Sequence, residues 1–316
     1  MKMATAQPAS SHYLVSGASG LLGTALRQAL AAGSLPVLQL VRRPPEGSNQ
    51  LQWNPAAEPS VANPQALEGL AGVIHLAGAN VAAHRWTAAY KREIAASRID
   101  STRALAATLA RLSRPPQVLV VASATGFYGN RAAELLDETS SPGSGFLAGV
   151  CQKWEAAAQP AVDAGIRVVH LRLGVVLGPG PGALAAMLPL FRLGLGGRLG
   201  NGRQWMSWIS LQDTASAILF ALETRSLTGS VNVTAPNPVT NRELTRTLAR
   251  QLHRPAFFPA PAFALRLALG EMADEALLSS ARALPAKLNA AGFQFTHPTI
   301  DLAIAAALAP QQPALS

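Results

Sequence analysis

The stretch "SGASGLLG", Ser16–Gly23, places Gly17, Gly20 and Gly23 at three-residue intervals between an apolar run and a stretch that reads as a helix. Glycine suits such a turn because the turn is tight, the backbone must approach a pyrophosphate, and the helix must pack closely on the strand. Alone, the triplet is only a glycine turn; inside a strand–turn–helix unit it points to a dinucleotide. The loop residues expected to touch that cofactor are Gly17, Ser19, Gly20, Leu21, Leu22 and Gly23.

Outward from this loop, apolar runs alternate with helical stretches, the pattern of a doubly wound parallel α/β sheet. "YLVSG" from Tyr13, "PVLQLV" from Pro36, "GVIHLAG" from Gly72, "QVLVVAS" from Gln117 and "IRVVHLRLG" from Ile166 read as buried strands. Helices are predicted from Leu21 to Ala32, from Thr87 to about Leu112 and from Phe146 to Ala164. Past Gly174 comes the turn "GPGPGAL", an apolar helix, and "RLGLGGRLGNGRQWMSWI", whose glycines predict an irregular loop over a pocket. A helix from Leu211 and a strand "SVNVTA" at Ser230 return to the sheet. The expected organisation is a flexible tail at 1–11, a dinucleotide-binding domain at 12–235 with 173–207 lining the cleft, and a smaller, mostly helical lobe at 236–316.

Composition sets limits on the function. The 316 residues are 49% hydrophobic, enough for a sizeable core. One cysteine, Cys151, excludes an internal disulfide framework, and "MKMATAQPASS" lacks the apolar core of a signal peptide. No apolar run reaches the roughly 18 residues of a spanning helix, so the expectation is a cytoplasmic protein with no membrane partner. The net charge of +9 comes from scattered basic residues, nearly all arginine, which argues against nucleic acid and for a local anion site. His12, His75, His84, His170, His253 and His297 show no metal-ligand spacing, and no Gly-x-Ser-x-Gly nucleophile turn is present.

The end of the second strand selects the cofactor. An NAD site would place Asp or Glu there to hold the ribose hydroxyls; this chain has "LVRRPP", with Arg42 and Arg43 about twenty residues past the glycines. Two guanidinium groups suit a 2′-phosphate, so NADP(H) is expected. The alternative is that one or both arginines merely face solvent.

These motifs resemble the extended short-chain dehydrogenase/reductase superfamily of sugar-nucleotide epimerases and dehydratases, over almost the whole chain. "GASGLLG" is similar to its glycine motif, "VIHLAGA" to its fourth-strand motif, "SATGFYG" to its fifth and "LRLGVVLGPG" to the strand entering the substrate lobe. "RW" at Arg85, "SRIDST" at Ser97, "GLGGRLGNGRQWMSWI" at Gly194 and "GEMADEALLSSARALPAKLNAAGFQF" resemble a narrower branch of epimerase-like proteins, some labelled cell-division inhibitors. The resemblance implies cofactor contacts at Leu76, Ala77, Gly78 and Ser123, and often a homodimer.

It also implies a catalytic tyrosine and, four residues on, a lysine that lowers its pKa, both on one helix face. "FLAGVCQKWEAAA", Phe146–Ala158, has neither. Anchored on Glu155, the lysine position falls on Cys151, the tyrosine position on Leu147 and the assisting serine on Ala124. Tyr128, Ser123 and Thr125 are the remaining candidates for proton transfer. Cys151 reads either as a thiol beside the nicotinamide or as a small packing residue in the lysine's place. Trp154 and Glu155 read as packing and helix-face residues.

Arg85, Trp86, Arg198, Arg203 and Trp205 are the candidate substrate contacts, able to clamp a planar or anionic group. Two functions follow: an NADP(H)-dependent oxidoreductase or epimerase-like enzyme acting on a small polar or anionic substrate without the usual pair, or a non-catalytic NADP(H) sensor for a protein partner.

Overall fold

The computed structural model describes residues 12–309, so the expected tail lies outside the described residues. Seven parallel strands form the central sheet: β1 (Tyr13–Ser16), β2 (Val37–Val41), β3 (Gln50–Gln52), β4 (Gly72–His75), β5 (Val118–Ala124), then Arg167–Leu173 and Gly229–Val233. In space β1 lies between β2, which leads to β3, and β4, which leads to β5 and the last two strands. The chain reverses direction across the sheet between β1 and β4, opening a crevice at their carboxyl ends.

Consecutive strand residues serve opposite cores, which is why the runs read as continuously apolar. Val15, Ile74, Val120 and Val169 pack towards helices α1 (Leu21–Ala32) and α6 (Leu211–Glu223). Leu14, Val73, Leu119 and Val168 pack towards α2 (Ala88–Ala110) and Trp154 of α3 (Phe146–Ala156). A third core joins Leu177 and Trp208 to α5 (Ala183–Arg192), α7 (Asn241–Leu252) and α10 (Ile300–Leu308).

Two expectations are corrected, and one short strand is added. The helix predicted to run to Ala164 stops at Ala156 and restarts as α4 (Gln159–Asp163), because Pro160 cannot continue a helix begun before it. β3 was not foreseen; at three residues it is too short to leave a periodic signal. The glycine-rich stretch before Leu211 is ordered at its end, where Trp208–Ser210 pairs with Val175–Leu177 and Trp205–Met206 with Val239–Thr240.

Beneath the crevice, at the end of β4, His75 Nδ1 is 2.6 Å from Ser16 Oγ and Nε2 is 3.1 Å from Ser101 Oγ. Burial pushes its pKa down from 6.5 to about 4. The unfolded chain therefore takes up this proton at a higher pH than the folded one. Stability present above pH 6.5 falls as the pH drops towards about 4, by about 3 kcal/mol for this one group. Urea unfolding across that window checks this: His75→Asn is expected to flatten the slope, and an unchanged slope would place its origin elsewhere.

Candidate functional site

The glycine loop fits a dinucleotide for reasons that differ at each glycine. Gly17 has φ +70°, and a Cβ there would lie 2.8 Å from the Leu76 carbonyl carbon, so it locks the loop against the residue after β4. A Cβ on Gly23 would sit 2.2 Å from Gly17 O, so close helix–loop packing excludes it. At Gly20 a Cβ would meet only Gly17 O, at an ordinary 3.5 Å. Nothing in the chain itself demands glycine at this exposed position, whereas a pyrophosphate laid across it would. Gly20 is also the uncapped N-terminus of α1, whose first turn carries no acid. The N–H groups of Leu21 and Leu22 are thus free to receive an anion.

At the end of β2, Arg42 and Arg43 are both exposed. Arg43 pairs with Glu46, while Arg42 has no carboxylate partner among the described residues.

The loop after β4, which carries Leu76, Ala77 and Gly78, is held by one face of α2 and by Trp86 just before it. Ser97 Oγ accepts from Ala79 N (3.0 Å), Arg98 Nη2 donates to Ala79 O (2.9 Å), Trp86 Nε1 donates to Val81 O (2.8 Å), and the Tyr90 hydroxyl bonds Asn80 O. The Arg98 guanidinium also rests against Gly78, where a Cβ would approach it to 3.3 Å. This gives "RW" and "SRIDST" a physical role, which spacing alone did not reveal.

Where the missing pair would act, the structure builds a buried ionic junction. Glu155 on α3 receives both Arg172 Nε and Nη2 at 2.9 Å, Ser123 Oγ at 2.8 Å and Ser230 Oγ at 2.9 Å. Burial pushes its carboxyl up, but the Arg172 hydrogen bonds and charge, with Ser123, outweigh this and hold it below the usual range. Arg172 Nη1 reaches the Tyr128 hydroxyl at 3.1 Å, and the guanidinium lies 3.4 Å over the Phe127 ring.

Tyr128 therefore has a cationic neighbour in Arg172, from another strand and not from the helix where the resemblance would place a lysine. The phenol is nonetheless sealed, with its hydroxyl 2.7 Å from Asn232 Oδ1 and 2.9 Å from Asp137 O. Burial pushes its pKa above 10.0 despite Arg172. A phenol in this state is poorly suited to proton transfer, and Ser123 is equally enclosed. Of the three proton-transfer candidates only Thr125, opening the turn Thr125–Tyr128, is half-buried.

Cys151 is buried against Phe127 and Tyr128, and burial pushes its thiol up to about 12, so it stays protonated. Glu275, in the π-helical turn Ala273–Leu277, accepts from the N–H groups of Phe146 and Leu147 at 3.1 and 3.0 Å. A carboxylate from the C-terminal lobe thus caps α3 where the resemblance would place the tyrosine.

The substrate candidates divide. Arg203 and Trp205 line a cavity of about 450 Å³ with Asn201, Gln204, Arg266 and Ser280. The Trp205 ring is covered by Arg282 at 4.1 Å. Arg198 is exposed and is not among the residues lining that cavity. Arg85 donates to Leu267 O (3.2 Å), and Trp86 is buried with its ring 5.1 Å from Phe146, packing between the lobes.

A glycine loop at the switch point of a doubly wound sheet, followed by a helical C-terminal region, is the pattern of the extended short-chain dehydrogenase/reductase class. Residues 13–234 match the NAD dependent epimerase/dehydratase family, and the chain belongs to that family. Residues 260–307 match a domain of unknown function, DUF1731. The chain is 47% identical over 290 residues to epimerase family protein Mb2239 of Mycobacterium bovis, covering 92% of this chain and 95% of that one. The structure is similar to that of human epimerase family protein SDR39U1 (isoform 2) with NADPH, at TM-score 0.86, 33% identity and coverage of 94% and 98%. It is also similar to a nucleoside-diphosphate sugar epimerase from Corynebacterium glutamicum, at TM-score 0.76 and 35% identity, covering 94% of this chain and 58% of that one.

Proposed function

We propose that the chain binds NADP(H) across the glycine loop and acts on a small polar or anionic substrate in the cleft beside Arg203 and Trp205, without a Tyr–Lys pair. The observation that carries the cofactor is the pair of exposed arginines, Arg42 and Arg43, at the end of β2. The human relative solved with NADPH supports the same preference. Gly20, Leu21 and Leu22 would hold the pyrophosphate, Arg42 and Arg43 the 2′-phosphate, and the loop Leu76–Gly78 the adenosine side. The bound nucleotide supplies the hydride, and orientation by the protein is what this transfer needs most.

Gly20→Val tests the loop. A Cβ at Gly20 meets the fold only at an ordinary 3.5 Å, and the position is exposed, so the melting temperature is expected to stay within a few degrees while NADPH affinity falls about tenfold or more. Unchanged affinity would mean the loop does not carry the phosphates.

The sealed Tyr128 and Cys151 favour a second reading, a non-catalytic NADP(H) sensor. NADPH oxidation across a set of carbonyl compounds and sugar nucleotides separates the two. Oxidation that Arg203→Ala abolishes and Tyr128→Phe leaves in place supports chemistry in the cleft. No oxidation, together with a protein captured only when NADP(H) is present, supports sensing.

A further inference from the structure

Helix α8 (Ala262–Leu269), "AFALRLAL", is apolar at every position but one, yet none of its residues is buried. Such a helix normally packs into a core. Phe263 and Leu267, one turn apart on the same side, are 72% and 77% exposed. Phe257 and Phe258, just before it, are 80% and 59% exposed.

The segment 192–200 runs alongside. Phe258 N donates to Gly196 O (3.3 Å), Ala260 N to Arg198 O (2.9 Å) and Arg254 Nε to Arg192 O (3.1 Å). This brings exposed Leu193 and Leu195 beside the phenylalanines, with Leu190 on the last turn of α5. Seven of the ten large apolar side chains exposed among the described residues thus fall on two adjoining segments. That is a patch, not ordinary scatter.

The unpaired charge around it has one sign. Arg85, Arg192, Arg198 and Arg254 are exposed, and none has a carboxylate within 4.0 Å among the described residues. The nearby acids are taken, Asp274 by Arg266 and Glu271 by Lys91. A partner must therefore be apolar and anionic together. A second copy meeting the patch about a two-fold axis would bring two faces of the same unpaired positive charge together. An acidic phospholipid surface supplies acyl chains for the phenylalanines and leucines and headgroups for the guanidinium groups.

We infer that this face, built from α8, the segment before it and the end of α5, seats the protein peripherally on an acidic lipid surface. No helix among the described residues is long and apolar enough to cross a membrane. The expectation of no membrane partner rested on the lack of a spanning run, and a peripheral face needs none.

Co-sedimentation of the full chain with vesicles tests this, using phosphatidylcholine alone or in equal parts with phosphatidylglycerol. Binding is expected only with the acidic vesicles and is expected to weaken with added salt. Phe263→Ser with Leu267→Ser should reduce it by about tenfold or more. Both side chains are exposed, so the melting temperature should hold; Phe257→Ser, in the preceding loop, provides a second variant. Equal behaviour towards both vesicle types, or binding that neither variant changes, would overturn the inference. So would a dimer in solution that the same substitutions convert to monomer, which would assign the patch to a second copy.

Discussion

Arg172→Ala is expected to destabilise the folded chain by about 3–5 kcal/mol, because it leaves the Glu155 carboxylate buried with its charge unmatched. The side chains of Arg172 and Glu155 are only 5% and 12% exposed, so solvent screens the pair little. The loss reaches beyond the pair. Arg172 also supports the Tyr128 hydroxyl, and Glu155 gathers Ser123 and Ser230, so three neighbouring strands are joined through one junction. For a domain of this size such a loss lowers the melting temperature by about 10 °C. Arg172→Met with Glu155→Met removes both charges and should cost less than Arg172→Ala alone. A melting curve for Arg172→Ala that overlays the wild type would show that the junction does not hold the sheet together.

The same junction explains what sequence reading could reach and what it could not. The glycine loop and the main strand and helix order were legible because they rest on local rules: glycine spacing, apolar runs and helix length. Arg172 sits inside "IRVVHLRLG", a run whose apolar pattern predicts a buried strand. A guanidinium there requires a carboxylate, and that signal was present in "LRLG" even though the partner, Glu155, was not identifiable. Tyr128 stood out by its type and position, but a phenol's exposure depends on Asn232 and the Asp137 carbonyl, which only folding brings to it. The hold of α2 on the loop after β4 was invisible for the same reason: Ser97 and Arg98 act through backbone groups of Ala79, and backbone partners leave no trace in composition. A tryptophan after a glycine-bearing loop fits either a pocket or a packing role; Trp86 is buried and its indole N–H is committed to Val81 O.

The vacated catalytic positions now have a physical description. Leu147 packs beside Gly126 at the start of α3, its N–H held by Glu275, and Cys151 fills the next turn as a protonated, buried thiol. Neither offers a proton donor to the cleft. Any chemistry there depends on the nucleotide and on groups such as Thr125, the substrate itself or water. The cofactor is therefore the foundation of both functional readings.

NADPH and NADH affinities, measured by fluorescence titration on the wild type and on the Arg42→Asp, Arg43→Asp double variant, test that foundation most directly. One charge-assisted hydrogen bond to a 2′-phosphate contributes about 1.5–3 kcal/mol, and with Arg43 shared with Glu46 the unpaired Arg42 sets the margin, so NADPH should bind the wild type about tenfold to a hundredfold tighter than NADH. The double variant should lose most of that margin, because two carboxylates repel the phosphate and suit the free ribose hydroxyls of NADH. Equal affinity for both nucleotides, unaltered in the variant, would contradict the NADP(H) assignment. Binding of neither would leave the glycine loop as inherited architecture and turn the search to protein partners.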